Sequence, residues 1–421
     1  MWNSLYEFVR VDRNRELLPI VRPSSRGCPN ILFSLENIMP DLKRTLLAAD
    51  TPRLVLDRSR LAANIRNMQA RAEAAGVALR PHIKTHKCVE IAIMQLEAGA
   101  AGVTTAKVDE ALVFIKAGIP SLTLAYPLLR AKKLDRLLKA AKKRSTGMRF
   151  VADSEAGVKA LSAAAKRRTM ELRVLLKIDV GLHRCGVAPD SADAVELAKL
   201  IASTPGLRFT GILSHAGQVY SATNAAEAEA VAQEEAHCMA LAKERIEATG
   251  LPVREVSVGA TPTVLATKDF GPATEIRPGN YVFLDSTCVR LGLAQYRDVA
   301  LTVLASVVSK NDTYCILDCG SKTLSSDMGA HGGSNGHGFG QAWSLDDRDM
   351  AGQPLVVEKL SEEHGFLRRD PDSGWDPDLG ERVRIVPNHS CPVANLAVKY
   401  LVLNEKGKSR KWSVAARALV R

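Results

Sequence analysis

From residue 53 onward the chain alternates short apolar runs with longer amphipathic ones. RLVL (53–56) alternates with period two, and Ser59 is a good N-cap for a helix reaching about Ala75. The pair then repeats. ALRPH, GVTTA, SLTLA, MRFVA, LRVLLKID, FTGILSHA and REVSVG read as strands. KCVEIAIMQLEAGA, VDEALVFIKAGI, SEAGVKALSAAAKRR and the segment 222–249 read as helices. Apolar strands separated by helices predict a parallel sheet, and about eight such units over 51–285 fit an α/β fold of the (β/α)8, TIM-like barrel type. An open doubly wound sheet is the alternative, but no GxGxxG follows the first strand.

The pattern changes after about 285. VALTVLASVVSK, YCILDCG, PLVVEKL, ERVRIVPNH, VKYLVLN and WSVAARALV are strand-like and joined by Gly, Asp and Pro, with no long helix between them. Residues 286–421 are therefore expected to form a C-terminal β-rich domain, and residues 1–50 an N-terminal extension with a loop at 23–27. The glycine-rich run GAHGGSNGHGFG (329–340) reads as a loop between strands, with a lid near the site as its sharper reading.

Composition narrows the function classes. Hydrophobic content of 46% and charged content of 24% over 421 residues suit a globular chain of two domains. No apolar run reaches the roughly eighteen residues of a membrane span, and the first residues mix acidic and basic groups too early for a secretory h-region, so no secretory leader is expected. The eight cysteines are scattered, so reduced thiols and a cytoplasmic location are expected. The net charge of +11 raises nucleic acid as a partner, but its thickest cluster, 130–144, repeats Leu134, Leu137, Leu138 and Ala141 at helical spacing. Those lysines face water, and no nucleic-acid motif accompanies them. The charge better suits an anionic cofactor or substrate.

In a barrel the chemistry sits at the C-terminal ends of the strands. There stand Lys84 in RPHIKTHK, Arg184 in GLHRCG, and His215 with Tyr220 five residues on. Ser257, Gly259 and Thr261 follow another strand, and Gly279 and Asn280 a later turn; their hydroxyls and N–H groups suit a phosphate. A lysine with a phosphate site suggests pyridoxal phosphate. Arg80 and Lys87 are cations that would lower the pKa of Lys84, and His82 and His86 stand beside it. In PNHSCPV, His389 and Cys391 lie two apart, on one face if the segment is extended, and imidazole with thiolate suits zinc. His331, His337 and His364 are available to complete such a site.

RPHIKTHK, GLHRCGV, SVGATPT, GNYVFLD, ILDCGSKTLSSD, EEHG and PNHSCPVANL, in this order, resemble the D-serine dehydratase and D-threonine aldolase family, whose barrel is like that of alanine racemase. The resemblance covers about residues 50 to 421. It implies that Lys84 carries pyridoxal phosphate and that Arg184 faces the pyridine nitrogen. Arg277, in an RPG run similar to the alanine racemase pattern, is a rival for that role. It implies that the phosphate sits on the Ser257–Thr261 and Gly279–Asn280 turns. His389 and Cys391 would hold a divalent metal, zinc or alternatively manganese, beside the β-hydroxyl of a small D-amino acid. It also implies a homodimer. The expected activity is a lyase: elimination of water from a D-serine-like substrate such as D-threo-3-hydroxyaspartate, with retro-aldol cleavage or racemisation as alternatives. Some aldolases of the group have Asp where Cys391 stands, which favours the dehydratase. A racemase would need a second base, for which Tyr314 and Tyr400 are candidates.

Overall fold

The computed structural model describes residues 39–329 and 338–421. A helix (Met39–Leu47) precedes strand β1 (Arg53–Asp57). Eight strands then alternate with helices: β2 (Ala78–Leu79), β3 (Val103–Thr105), β4 (Ser121–Leu124), β5 (Gly147–Ala152), β6 (Leu172–Lys177), β7 (Leu207–Leu213), β8 (Glu255–Val258) and β9 (Glu275–Ile276). They form one parallel sheet in the order β2-β9-β8-β7-β6-β5-β4-β3. A parallel bridge between His82 and Thr104 joins its two ends, so the sheet is a TIM-like barrel.

The number of barrel strands agrees with the sequence pattern, but their membership differs. RLVL is not the first barrel strand. As β1 it lies in the other sheet, antiparallel to β10 (Leu301–Lys310). Period-two alternation specifies the face of a strand and not its partner. The barrel's remaining strand is β9, two residues long and stopped by Pro278, too short for any periodic signal. The helix after β1 is capped by Asp57, whose carboxylate accepts the N–H groups of Ser59 and Arg60; Ser59 lies inside the helix.

The C-terminal part continues with β11 (Tyr314–Leu317), β12 (Gly340–Ser344), β13 (Leu355–Leu360), β14 (Gly365–Arg368), β15 (Arg382–Pro387), β16 (Lys399–Leu403) and β17 (Ser409–Ser413). β10 pairs with β15, β1 and β11, so six strands close into an antiparallel barrel and β1, β16 and β17 extend from it. β16 runs parallel to β1. The short, glycine-bounded β12 and β14 had no pattern of their own, and the expected strand WSVAARALV ends at Ser413. The glycine-rich run lies mostly outside the described residues.

Amphipathic spacing is realised closely in the helix Ala131–Arg144. Leu134, Leu137, Leu138 and Ala141 are its buried residues, and three cations fill its last turn, where the helix dipole favours them. The barrel interior is less conventional, because it carries charge. Glu275, 4% exposed, accepts from Arg80 Nε at 2.7 Å and Arg149 Nη2 at 2.6 Å, and its other oxygen accepts from Ser257 Oγ at 2.6 Å. Arg149 and Arg173 also pair with Glu255. Buried charges persist only when paired and hydrogen-bonded.

Replacing Glu275 tests this layer. Glu275→Ala leaves two buried guanidinium groups short of a partner and should destabilise the chain by roughly 3–5 kcal/mol. Urea denaturation measures it; an unchanged midpoint would show that the layer does not support the barrel.

Candidate active site

RPHIKTHK leaves β2 as a tight, buried turn in which each polar side chain takes a different direction. Arg80 points down the barrel to Glu275. His82 Nδ1 accepts the Lys84 N–H at 3.4 Å. Lys84 projects into a cavity of about 380 Å³ at the C-terminal ends of the strands. Thr85 Oγ1 lies 3.2 Å from Cys391 Sγ, across the domain junction. His86 turns into the core, where its carbonyl accepts the Tyr400 hydroxyl at 2.7 Å. Lys87 adopts φ +50° and reaches buried Glu110 at 2.9 Å. One lysine of the stretch is thus committed to an ion pair, while Lys84 faces the cavity with no carboxylate within ion-pair distance among the described residues.

Of the residues singled out in the sequence, Lys84, Arg184, His215, Tyr220, Gly259, Thr261, Gly279, Asn280, His389 and Cys391 all line this cavity. Ser257 does not. Its hydroxyl lies behind the wall, donating to Glu275 and accepting from Arg277 Nη1 at 2.6 Å. The expected phosphate donors also need revision. The Gly259 N–H is taken by Glu235 Oε1 at 3.1 Å, and the Gly279 N–H by Thr261 Oγ1 at 3.1 Å. Thr261 Oγ1 accepts the Tyr281 N–H as well, so its own O–H remains for a ligand. Among the described residues the N–H groups of Thr261 and Asn280 find no acceptor. Gly279 is required sterically: a Cβ there would stand 2.9 Å from the His82 carbonyl.

Both rival arginines reach the cavity. Arg277 is buried and its guanidinium is held by Ser257 Oγ and the Ser214 carbonyl. Arg184 comes from an exposed loop and takes no hydrogen bond among the described residues. The more firmly held guanidinium is therefore the one ranked second from the sequence.

One residue missed by the sequence reading is Lys177, at the end of β6. It lines the cavity while only 5% exposed, and burial, with Arg277 and Arg184 adding to it, brings its ammonium down to about 7. The signal was a lysine directly after the apolar stretch Val174–Leu176 of LRVLLK, which also reads as an ordinary strand end. Lys84 is likewise lowered, by enclosure first and then by Arg184 and Lys87 against the opposing pull of Cys391. Burial and these cations hold His215 and His82 well below the usual histidine value, so both rings are neutral. Lys84, Lys87, Lys177, Arg184 and Arg277 face the cavity, and no Asp or Glu among the described residues lines it. Such a space suits an anionic ligand.

His389 and Cys391 arrive from the C-terminal domain. The expected extended segment is instead a strand-to-helix junction: His389 immediately precedes a helix (Ser390–Leu396), leaving its side chain free of any capping bond, and Cys391 lies in the first turn. The two side chains still meet. Burial pushes the Cys391 thiol up, but His389, Thr85 and Lys84 outweigh it and leave the thiol below its ordinary value. His389 Nδ1 lies 2.7 Å from Asp327 Oδ2. His364 is exposed on the surface, and His331 and His337 lie outside the described residues. Among the described residues no group of three or more His, Cys, Asp or Glu side chains is placed to hold a metal ion. An imidazole and a thiol facing one polar cavity nevertheless fit two ligands of a metal whose other positions go to water or substrate. Of the two tyrosines considered for a racemase, Tyr400 is tied to the His86 carbonyl and Tyr314 packs edge-on against Phe366; neither lines the cavity.

Residues 56–287 match the family model described as alanine racemase, N-terminal domain, and residues 300–403 the putative serine dehydratase domain. D-threo-3-hydroxyaspartate dehydratase of Delftia sp. (strain HT23) is 35% identical over 88% of this chain and 98% of its own. D-threonine aldolase of Arthrobacter sp is 32% identical over 89% of this chain and 95% of its own. The solved structure of the Delftia dehydratase superposes with a TM-score of 0.80 at 34% identity, over 87% of this chain and 98% of that one. A further solved structure is a cysteine-to-alanine variant of a D-threo-3-hydroxyaspartate dehydratase, described as its metal-free form. Among the described residues no helix is long and apolar enough to cross a membrane.

The buried Lys177 carries a pH signature. Below about pH 7 the folded chain must hold its proton at the full cost of burial. From there up to the ordinary 10.5, the unfolded chain holds a proton the folded one lacks, so the cost fades as pH rises. In cofactor-free protein, Lys177→Met should therefore raise Tm more at pH 6 than at pH 10. Equal shifts at both pH values would remove the claim that a buried charge is at work.

Proposed function

Because the chain belongs to the D-serine dehydratase and D-threonine aldolase family of enzymes with an alanine-racemase-like barrel, we propose that its cavity eliminates water from a β-hydroxy D-amino acid, and that water then hydrolyses the released enamine, through its imine, to a 2-oxo acid and ammonia. The observation that carries this reading is that Lys84 from the barrel and the His389–Cys391 pair from the C-terminal domain face a single cation-rich cavity. Pyridoxal phosphate, the family's cofactor, supplies when bound the electron sink that makes the Cα–H bond acidic, and a divalent metal, zinc or manganese, supplies Lewis-acid polarisation of a β-hydroxyl.

The rest falls to the protein. Lys84 is the residue to hold the cofactor, and its lowered pKa suits it to take the Cα proton as a neutral amine. The Thr261 hydroxyl and the N–H groups of Thr261 and Asn280 are the donors suited to the phosphate. Neutral His215 offers an uncharged, flat surface beside the cofactor. Arg184 or Arg277 would meet the pyridine nitrogen. An arginine there does not give up its proton, so the ring nitrogen stays unprotonated and the electron sink is restrained. That favours prompt departure of the β-substituent. His389 and Cys391 are the residues to hold the metal on the side from which the hydroxyl leaves.

Retro-aldol cleavage to glycine and an aldehyde is the second reading, favoured by the likeness to D-threonine aldolase. It needs the same residues, but the proton comes from the β-hydroxyl and the Cα–Cβ bond breaks. The cysteine at 391 supports the dehydratase, in keeping with the hydroxyaspartate dehydratase relative. The reading includes a homodimer working in the cytoplasm. The described cysteines, all free thiols, support a reducing compartment.

Incubation with D-threo-3-hydroxyaspartate, D-serine and D-threonine decides the reaction. Release of a 2-oxo acid and ammonia is expected; glycine with an aldehyde would instead establish the aldolase. Purified protein should absorb near the visible edge, and Lys84→Ala should lose that band together with activity. A chelator or His389→Ala should lower turnover by at least roughly 100-fold. Full activity after metal stripping would end the metal-assisted reading.

A further inference from the structure

The segment ILDCGSKTLSSD contributes none of the cavity-lining residues, yet its last residue makes a specific contact with the candidate metal pair. Asp327 Oδ2 lies 2.7 Å from His389 Nδ1. The carboxylate is itself held: its Oδ1 accepts the Gly329 N–H at 3.1 Å, and its own N–H donates to Ser325 Oγ at 3.2 Å. Ser325 turns the chain at φ +66°, bringing Asp327 back after the short helix Ser321–Leu324. The Asp327 and His389 side chains are only 31% and 18% exposed, so bulk water competes weakly for the bond.

An imidazole has two nitrogens, and a partner on one decides what the other can do. With Nδ1 donating to a fixed carboxylate, Nε2 is the nitrogen left to bind an ion in the cavity that His389 and Cys391 line. Asp327 is not a third ligand, since an atom bonded to Nδ1 lies across the ring from any ion on Nε2. A carboxylate in this position fixes the ring's tautomer and rotation and makes Nε2 a better donor. We infer that Asp327 is a positioning residue for a metal held by His389 and Cys391. The inference rests on the metal reading proposed above.

The test is zinc affinity, measured on the full-length, cofactor-loaded, metal-stripped protein by competition with a chromophoric chelator. Asp327→Ala should weaken zinc binding roughly 10–100-fold. Asp327→Asn, which keeps an oxygen for the Nδ1–H, should recover part of that loss. Wild-type affinity in Asp327→Ala, with binding lost in His389→Ala, would overturn the positioning role and leave the metal reading standing. Wild-type affinity in His389→Ala would overturn the metal reading and this inference with it. A crystal structure of zinc-loaded wild-type protein gives a check independent of any variant. Zinc on Nε2 with Nδ1 on Asp327 supports the inference, and zinc on Nδ1 refutes it.

Discussion

The cavity depends on one buried carboxylate at the junction of the two domains. Asp285, fully buried, accepts from Asn280 Nδ2 at 2.6 Å on the barrel side and from the Ser390 N–H at 2.9 Å on the other. Ser390 Oγ returns a bond to Asn280 Oδ1 at 2.8 Å, and the Thr287 hydroxyl holds the Asn388 carbonyl at 2.8 Å. These bonds clamp the turn carrying His389 and Cys391 onto the turn carrying Gly279 and Asn280. Together with the Thr85–Cys391 contact, the clamp fixes the separation of the barrel lysine from the histidine–cysteine pair. Hydrogen bonds to a buried carboxylate are among the stronger ones available to a protein, and they are costly to leave unmade.

Charge is organised in two layers. Below the cavity, Glu275 and Glu255 neutralise Arg80, Arg149 and Arg173. Glu235 stands behind the wall, accepting from Ser214 Oγ and the Gly259 N–H. Facing the cavity are cations, with no lining carboxylate among the described residues. The carboxylates stabilise the scaffold from behind, and the positive field is left pointing at the ligand. Ser257 and Arg277 connect the layers, since Ser257 bonds Glu275 with its proton and Arg277 with its oxygen.

Much of this was legible in the sequence for a physical reason. Strands buried on both faces and helices with one apolar stripe produce strong periodic signals, so the barrel and the change of pattern after 285 could be read directly. The strand-end rule then located Lys84, His215 and Thr261 at the cavity. Partnership was not legible. RLVL has the same period in either sheet, and EI is too short to have one. Nor could a sequence tell which N–H groups on the glycine turns were already spent on Glu235 and Thr261. Lys177 hid as a strand terminus. Asp327 lies more than sixty positions from His389, a separation that no local pattern spans.

The placement of β1 between β10 and β16 has a consequence for how the chain comes together. Seen topologically, the whole barrel is an insertion into the C-terminal domain, between its earliest strand and the rest. A ribosome completes the barrel shortly before β10 and long before β16, so β1 gains its two strand partners only after the barrel strands are made. The six-stranded barrel of the second domain can close without β1, but its nine-stranded sheet is complete only when β1 lies between β10 and β16. The cavity takes Lys84 from the barrel and His389 and Cys391 from beyond β15, so ligand binding there reports that a turn made late has docked on a barrel made early.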